Sequence, residues 1–532
     1  MQNSKRAVLD LGTGSIKAGW AGEGRARYVL PTCAGAVRRR PQLYLAEECY
    51  CLQEYICSRP SQGGLWANLE MLRDLIDVSF SRKYLGADPK ELNGVALTEP
   101  LLTPAPLRHH VSEILFEDLG VERLAIVAAQ AVIPYAFWGM GWGAQDICAP
   151  PRAKRMGVTC YSGPDGSSVG TPGARGALVT KTKGGGTGAT TSADPCFSPR
   201  LAAGAAATDL GSVGQVSPGR NPFGLTVDVG FSLSHAVPFV NYSTLEASAL
   251  RSEIGGAHAN AYLKNLLLTR GLSLEKNELF AQKLKEETCF FAGDLMQVLK
   301  QLSSLPGGRS TARLGGPLFV ERETPDYSLT KAQLSTYYHT HSPAPIPELS
   351  SLEGLNQTQI HQSSSSTSSN RDTASATPAV PTAAAPEPPG VVQGATDDTW
   401  APHGLPTRPT VKLSTERLVV PEILFRPQDG GSSECGVAEL VYRAICKAPV
   451  EAQPFLSSQI FLVGGSTKFW GFKERLWHEL RGLLPEHWQI HIYQHEDPQH
   501  SAWLGASNWA HDDGVYMQFS VSRQQFLETG FI

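Results

Sequence analysis

Short apolar runs that end in glycine turns occur near both ends of this chain. Residues 461–463, Phe-Leu-Val, lead into Gly464-Gly465 and two hydroxyl residues. Residues 8–17 read Val-Leu-Asp-Leu-Gly-Thr-Gly-Ser-Ile-Lys, so an acid, two glycines, two hydroxyls and a lysine stand close together. Glycine lets the main chain approach a ligand closely and adopt positive φ without strain. The two turns together favour a fold in which buried strands deliver backbone to a ligand, although a single Gly pair is typical of a plain turn.

Length and charge bound the possible architectures. A chain of 532 residues is too long for one small core and suggests about three domains. The net charge of −4, with 18% charged residues, argues against a protein that binds polyanions along its whole length. The ten cysteines lack the paired spacing of a zinc site, and we expect them to be reduced thiols in a cytosolic or nuclear protein.

One uncharged stretch, residues 124–144, has about the length of a membrane span. Gln130, Pro134 and three glycines interrupt it. We therefore expect a buried strand over 124–129 and a short buried helix over 131–138. No signal peptide is expected, because Lys5-Arg6 precede only a short apolar run that ends at Asp10.

Alternation of strands and helices defines the first 140 residues. Strands are predicted at 8–9 and 94–100, and helical spacing of apolar residues predicts helices over 65–80 and 107–119. Such alternation indicates an α/β fold with ligands at the carboxyl ends of strands. Further elements are predicted as a strand at 225–228, helices at 263–267, 274–298, 437–445 and 473–484, and a strand at 460–463.

Two compositionally biased segments interrupt this pattern. Residues 145–223 are rich in Gly, Ser, Thr, Ala and Pro, and residues 303–410 in Ser, Thr, Pro and Ala, with a less biased island at 317–331. Such segments bury too little apolar area to offset the entropy lost on ordering. We expect both to be disordered insertions, which leaves about 350 residues for folded domains.

Four polar groups could carry chemistry. Backbone amides of 10–17 can cradle phosphates, with Lys17 neutralising them and Asp10 organising a hydrated Mg²⁺. Asp228 and His235 flank a second glycine turn, Gln130 lies at a strand–helix junction, and Lys285-Glu286 lie on a helix. Each group also has a plain structural interpretation: a hairpin turn, a core histidine, a first helical residue, or a surface ion pair.

Taken in chain order, these elements resemble the actin family. The fold implied is α/β, the actin-like ATPase fold, in which duplicated ribonuclease-H-like domains surround a nucleotide cleft. The resemblance rests on residues 10–19, 97–100, 114–117, 130–132, 256, 285–289, 421–427, 435–436, 464–467 and 501–505.

The resemblance implies a division of the chain into two lobes. Residues 1–144 would form the first lobe, and 224–302 the first part of the second lobe. Residues 411–532 would complete the second lobe and return the chain to the first. The segments 145–223 and 303–410 remain outside as insertions.

A nucleotide site is also implied, for ATP or ADP with Mg²⁺. Gln130 and His235 match water-positioning catalytic residues, and Asp10 and Asp228 match acids that hold the metal through water. The nucleotide-binding positions carried over are Asp10, Gly12, Thr13, Gly14, Lys17, Asp228, Gly230, Gly256, Lys285, Glu286, Gly464, Gly465, Ser466 and Phe469.

The second turn departs from the actin pattern. Phe231 stands where the family has a second acid, and Ser232 where it has a glycine. The sequence of 231–235 and of 421–429 is similar to one nuclear class of actin-related proteins. That similarity implies a nuclear, and also cytoplasmic, structural subunit of a chromatin-remodelling complex for histone-variant exchange.

The partners implied are remodelling-complex subunits and histones. We expect weak or absent ATP hydrolysis, no direct nucleic-acid contact, no membrane and no homopolymer. The alternative is a divergent cytoskeletal actin-like ATPase that forms filaments, which the presence of Gln130 favours.

Overall fold

Two mixed β-sheets, one in each lobe, organise the fold. The structure is a computed structural model that describes residues 5–38, 40–138, 158–163, 223–293, 295–304, 318–346 and 409–530. In the first sheet the strand order is β20-β10-β9-β1-β2-β3, where β1 is Ala7–Leu11, β2 Ser15–Trp20, β3 Tyr28–Pro31, β9 Val95–Glu99, β10 Arg123–Ala128 and β20 Val521–Ser522.

The second sheet repeats this arrangement. Its order is β11-β19-β18-β12-β13-β14, where β11 is Val158–Tyr161, β12 Phe223–Val229, β13 Ser234–Val240, β14 Ser243–Thr244, β18 Ile460–Val463 and β19 Ile492–His495. In each sheet one strand pairs antiparallel with the next strand in sequence and parallel with a later one: β1 with β2 and β9, β12 with β13 and β18. The repeat places the β1–β2 turn and the β12–β13 turn in corresponding positions of the two lobes.

Shorter strands complete the β structure. They are β4 Ala34–Ala36, β5 Leu43–Leu45, β6 Ile56–Ser58, β7 Ser61–Gln62, β8 Leu65–Trp66, β15 Leu250–Ser252, β16 Val320–Glu323 and β17 Thr410–Leu413. The strands β4, β5 and β6 form a small separate sheet in the first lobe, and β16 pairs antiparallel with β17.

Helices cover both sheets. They are α1 Leu69–Phe80, α2 Ala105–Glu113, α3 Ala129–Trp138, α4 Gly256–Leu268, α5 Glu278–Thr288, α6 Leu295–Ser304, α7 Lys331–His339, α8 Glu416–Glu422, α9 Val437–Lys447, α10 Gln453–Ser457, α11 Phe472–Leu483, α12 Ser501–His511, α13 Asp513–Phe519 and α14 Arg523–Thr529. No described helix combines the length and the apolarity that a membrane crossing requires.

The final part of the chain packs against the first lobe. Trp503 on α12 is fully buried, and its indole Nε1–H donates to the backbone oxygen of Val8 at 3.0 Å. A tryptophan is buried favourably when its N–H finds such a partner. Strand β20 then pairs with β10, which adds the last strand to the first sheet.

Four predicted helices differ in the structure. The one predicted over 263–267 is the last part of a longer helix, Gly256–Leu268. The one predicted over 65–80 begins at Leu69, because Asn68 caps it by accepting a hydrogen bond from the Met71 amide at 2.9 Å. The one predicted over 107–119 begins at Ala105 and ends in a wider turn at Ile114–Asp118. The one predicted over 274–298 is two helices, because the amides of Phe290 and Phe291 bond to Arg417 and Trp470 instead of continuing the helix.

The two predicted insertions contain folded structure. Within 145–223, Val158–Tyr161 pairs with β19; within 303–410, residues 318–346 carry β16 and α7. The prediction of disorder is therefore wrong for these parts. The first is held by its strand pairing with β19, and in the second, apolar side chains such as Leu318 and Leu334 are buried against the lobes. The remainder of both segments, 145–157, 164–222, 305–317 and 347–408, lies outside the described residues.

Candidate functional site

A cavity of about 360 Å³ lies between the two sheets, where the β1–β2 and β12–β13 turns meet. This volume falls in the range of small-molecule sites. Both lobes contribute to its walls, and the contribution of the second lobe includes the Gly464–Gly465 turn, which is distant in sequence. Of the residues predicted from sequence, the cavity is lined by Asp10, Gly12, Thr13, Gly14, Lys17, Gln130, Asp228, Gly230, His235, Lys285, Glu286, Gly464, Gly465, Ser466 and Phe469.

Asp10 lies at the end of β1 and is held by two side chains. Lys17 Nζ lies 2.8 Å from Asp10 Oδ2, and Thr98 Oγ1 donates to Asp10 Oδ1 at 2.5 Å. Both members of the Asp10–Lys17 pair are buried. The pairing follows from the strand register, which places these two residues directly opposite each other across the hairpin.

Arg59 is a site residue that the sequence did not reveal. Its guanidinium donates to the backbone oxygens of Thr13, Gly14 and Thr32 at 3.1–3.2 Å and to Gln282 in the second lobe at 3.3 Å. It therefore fixes the shape of the first turn and connects it to α5. Because all five N–H groups of a guanidinium lie in one plane, an arginine can hold several carbonyls at once.

Phe231 occupies the space between the two turns. Its ring lies 4.1 Å below the Arg59 guanidinium and 6.0 Å from Lys285 Nζ, so cations of both lobes face it. A Cβ at Gly14 would come within 2.8 Å of the Phe231 Cβ. Glycine at position 14 is thus required by the aromatic residue across the cleft, and the position of the expected second acid is filled by an apolar side chain.

Gln130 connects the lobes at the floor of the cavity. Its Nε2 donates to Asp228 Oδ2 at 2.7 Å, and its Oε1 accepts from the Leu101 amide at 3.0 Å. Gln130 Nε2 also lies 3.4 Å from His235 Nδ1. The three predicted residues therefore form one contiguous group.

Burial shifts the protonation of this group. It raises the pKa of Asp228 to about 6, with the nearby Asp10 acting in the same direction and the Gln130 hydrogen bond opposing it. Burial, together with Arg251, lowers the pKa of His235 to about 4, so this imidazole is neutral at pH 7. Its Nε2 is buried without a hydrogen-bond partner among the described residues.

The opposite wall of the cavity is formed by Lys285 and the Gly464–Gly465 turn. Lys285 Nζ donates to the Gly256 backbone oxygen at 3.0 Å, and Ser466 Oγ donates to the Gly230 oxygen at 2.8 Å. Gly464 has φ +97°, and a Cβ there would lie 2.4 Å from the Val229 oxygen, so only glycine fits. Gly256, also predicted to bind the nucleotide, lies behind this wall, where its backbone oxygen accepts the hydrogen bond from Lys285.

Two neighbouring aromatic residues of this wall differ in position. Phe469 is buried and lines the cavity, whereas Trp470 is 57% exposed and lies edge-on to Phe290. Only Phe469 is therefore placed to contact a planar ligand.

The donor groups of the site fit a polyphosphate. Among the described residues, the amides of Thr13, Gly14 and Ser232 have no hydrogen-bond partner, and Lys17 lies beside them. A Cβ at Gly465 would contact only Gln499, at 3.9 Å, so the wall there is open to a ligand. Free amides at a glycine turn and a lysine are the groups that bind phosphate oxygens.

The acids fit Mg²⁺ only through water. Both carboxylate oxygens of Asp10 and one of Asp228 accept protein hydrogen bonds. Within the described part of the chain, no group of three or more His, Cys, Asp or Glu residues is arranged to hold a metal directly. Asp10 and Asp228 would therefore orient water around the ion.

The duplicated sheets and the cavity between them define a two-lobed α/β protein with a ligand cleft. A family model described as Actin matches residues 1–294 and 348–531, and the chain belongs to the actin family. The predicted actin-like ATPase fold is thereby confirmed.

Several curated relatives carry the name Actin-related protein 6. That of Oryza sativa subsp. japonica is 25% identical over 532 residues, covering 98% of this chain and 96% of the relative. That of Arabidopsis thaliana is 25% identical over 534 residues, covering 99% and 97%. That of Dictyostelium discoideum is 28% identical over 312 residues, covering 59% and 60%. The predicted likeness to this class is confirmed, and the chain is an actin-related protein.

Proposed function

We propose that the chain is a nucleotide-binding structural subunit with little or no ATP hydrolysis. The observation that carries this proposal is the position of Phe231, whose ring fills the space between the two turns under Arg59. The free amides of Thr13, Gly14 and Ser232 favour binding of ATP or ADP with Mg²⁺. Bound ATP would bring the phosphoanhydride bond and its divalent counter-ion to these residues.

Hydrolysis is disfavoured by the groups around the cleft floor. An acid at position 231 would give a charge-assisted contact of about 1.5–3 kcal/mol, which phenylalanine cannot make. If the contact is made mainly in the transition state, its loss lowers the rate roughly a hundredfold. Gln130, the predicted water-positioning amide, already donates to Asp228. The neutral His235 can still accept a proton, so the loss of the acid at position 231 is expected to slow turnover without preventing nucleotide binding.

We further propose that the chain acts in the nucleus, and also the cytoplasm, within a chromatin-remodelling complex that exchanges a histone variant. The likeness of residues 231–235 and 421–429 to the class named Actin-related protein 6 supports this role. Remodelling-complex subunits and histones would be its partners, with the closed lobes presenting the docking surfaces.

The nucleotide proposal is tested on purified protein. Perchloric acid denaturation followed by ion-exchange chromatography should release close to one ATP or ADP per chain, and phosphate release with Mg-ATP should be slower than that of actin measured alongside. Chromatography that yields no nucleotide would overturn the binding function. Turnover equal to or faster than actin's would overturn the structural one.

The partner proposal is tested by purifying the tagged full chain from nuclear extract and identifying the proteins that accompany it. A remodelling ATPase and histones are expected, and their absence would contradict the assignment. The filament-forming alternative predicts a polymer that sediments above a critical concentration after incubation with Mg-ATP. The same ultracentrifugation with Mg-ADP serves as its control.

A further inference from the structure

Residues 318–346, called the strap below, cross the mouth of the cleft. They fall within the interval 295–347 that the Actin family model leaves unmatched. His341 and Pro343 of the strap nevertheless line the cavity together with Asp10, Lys285 and Gly465. The strap therefore contributes to the site from outside the family's shared sequence.

Both ends of the strap are fixed to the second lobe. Arg417 is 1% exposed and donates to the backbone oxygen of Leu318 at 3.0 Å and to that of Pro345 at 2.9 Å. Residues Val320–Glu323 pair with Thr410–Leu413 over four residues each. The buried Arg417 guanidinium thus joins the two ends of the strap, and these ends can leave the second lobe only together.

The middle of the strap docks on the first lobe. The ring of Tyr338 stacks on Tyr50 with centroids 4.3 Å apart and 9° between the planes, and Leu334 is 1% exposed. At the edge of this contact, Lys331 Nζ lies 3.0 Å from Glu48, and His339 Nε2 lies 3.2 Å from Glu47. An aromatic stack around a buried leucine, edged by ion pairs, is the composition of a stable docking contact.

Between these anchors, residues 340–343 pass over α5 beside Lys285 and Glu286, which are predicted nucleotide-binding residues. Lys283 Nζ donates to the Thr340 oxygen at 2.6 Å, and the Ser342 amide donates to Glu287 Oε1 at 3.1 Å. Lys283 and Glu287 are themselves paired at 2.6 Å and are buried. The strap is therefore seated on the helix that also carries Lys285 and Glu286.

We propose that the strap is a gate: it ties the two lobes together across the cleft and sets the rate at which nucleotide leaves. The proposal rests on the nucleotide-binding function proposed above. Separation of the lobes at the mouth requires the Tyr50–Tyr338 stack and the Leu334 contact to open. The strap adds to direct contacts between the lobes nearby: Leu279 of α5 is buried in the same cluster as Tyr50, and Arg59 donates to Gln282 at 3.3 Å. The strap contact is the one of these that also crosses the mouth of the cavity.

The test compares Tyr338→Ala with Thr336→Ala in the full chain. Thr336 is exposed on the same helix, and its hydroxyl bonds only to the Ala332 oxygen of that helix, so Thr336→Ala is a matched control. Each protein is loaded with a fluorescent ATP analogue and mixed with excess ATP, and the fluorescence decay gives the release rate. Tyr338→Ala should release the analogue about tenfold faster or more, equivalent to about 1.4 kcal/mol, and Thr336→Ala at the wild-type rate. Equal rates in all three proteins would overturn the gate.

Hydrogen exchange on nucleotide-free protein supplies a second readout. If the strap holds the lobes closed, Tyr338→Ala should speed exchange at Ala46–Cys51 and at 331–339. It should also speed exchange at the hydrogen-bonded amides of the two turns and their neighbours, Gly12, Thr32, Gly230 and Gly256, and leave β9 and β18 unchanged. Faster exchange confined to the docking contact would mean that the strap docks without closing the cleft, and would overturn the proposal. A wild type that binds no analogue would overturn the nucleotide function, and exchange at the two turns would then decide the strap by itself.

Discussion

Gln130 and Asp228 meet across the cleft: Nε2 of the first-lobe amide lies 2.7 Å from Oδ2 of the second-lobe carboxylate. The amide comes from the start of α3 and the carboxylate from the end of β12. The sequence predicts these residues for water positioning and metal binding, and in the structure they contact each other directly. Burial favours the protonated form of Asp228, and the hydrogen bond from Gln130 acts in the opposite direction by favouring the charged carboxylate.

The first prediction concerns the pH dependence of stability at Asp228. Because burial raises its folded pKa to about 6, above the ordinary 3.8, Asp228 stabilises the fold most at low pH and loses that contribution as pH rises from about 4 to about 6. Asp228→Asn removes this loss. The free energy of unfolding of the variant relative to wild type should therefore increase by up to about 3 kcal/mol over this window, measured by urea denaturation at each pH.

His235 serves as a control in which the pH dependence of stability has the opposite sign. Its folded pKa of about 4 lies below the ordinary 6.5, so its contribution to stability rises between pH 4 and pH 6.5. His235→Gln should lose stability relative to wild type as pH rises, by about 3 kcal/mol at most. If the difference in the free energy of unfolding between variant and wild type does not vary with pH for either substitution, the two groups titrate normally in the folded protein.

The second prediction is that Arg59→Lys loosens the first turn. A lysine ammonium has three donors on a flexible stem and cannot hold the oxygens of Thr13, Gly14 and Thr32 while also reaching Gln282. We expect a loss of about 1–3 kcal/mol in the free energy of unfolding, and nucleotide affinity about tenfold weaker by titration calorimetry.

Arg73→Lys is the control for this substitution. Arg73 lies on α1, is 47% exposed and pairs with the exposed Asp118 at 2.9 Å. Exposed pairs contribute about 0–1 kcal/mol, so this variant should match wild type in both measurements. If Arg59→Lys also matches wild type, the carbonyl contacts do not maintain the turn.

The sequence indicates where the strands of the site end, but not which residues hold those strand ends together. Local apolar runs predict the strands that contain Val8, Val227 and Phe461. The turns that follow these strands could therefore be assigned to one cleft. Arg59 lies between two strands of two and three residues, and its partners are 27 to 223 positions away. No local pattern reports such contacts.

The strap was missed for a different reason. Averaged over 303–410, the composition is that of a disordered segment, and this average hid a short folded part. A local signal was present, because Thr330 and Gln333 form a capping box at the start of α7 and Leu334 follows directly. The docking partner, Tyr50, is nearly 300 positions away and could not be inferred from the sequence.

The third prediction concerns Arg417, which closes the base of the strap. Arg417→Met leaves the buried oxygens of Thr288 and Leu318, and the partly buried oxygen of Pro345, without their donor. Each unsatisfied buried group costs about 1–3 kcal/mol, so we expect a loss of about 3 kcal/mol or more by chemical denaturation. Arg443→Met, which removes an exposed pair with Glu439, should cost less than about 1 kcal/mol. A similar effect of both substitutions would show that the strap ends are held by other contacts.

The fourth prediction is that the absence of an acid at position 231, where Phe231 stands, limits the rate of ATP hydrolysis. Phe231→Asp restores an acid to the second turn, where Arg59 and Lys285 flank the position and compensate its charge. The ring's interaction with Arg59, of about 0.5–2 kcal/mol, is lost, but the new carboxylate faces the same guanidinium and gains an ion pair, so stability should change little overall. Phosphate release at saturating Mg-ATP should increase up to about a hundredfold over wild type.

Phe231→Leu separates the two consequences of that substitution. Leucine removes the ring and its contact with the Arg59 guanidinium but adds no carboxylate, so it should lower stability and leave phosphate release at the wild-type rate. Because both variants remove the ring and keep Cβ and Cγ, the atoms nearest to Gly14, a faster rate in the aspartate variant alone is attributable to the acid. If the leucine variant is as fast as the aspartate variant, the ring hinders turnover sterically. If neither is faster than wild type, the hydrogen bond between Gln130 and Asp228 becomes the next group to alter.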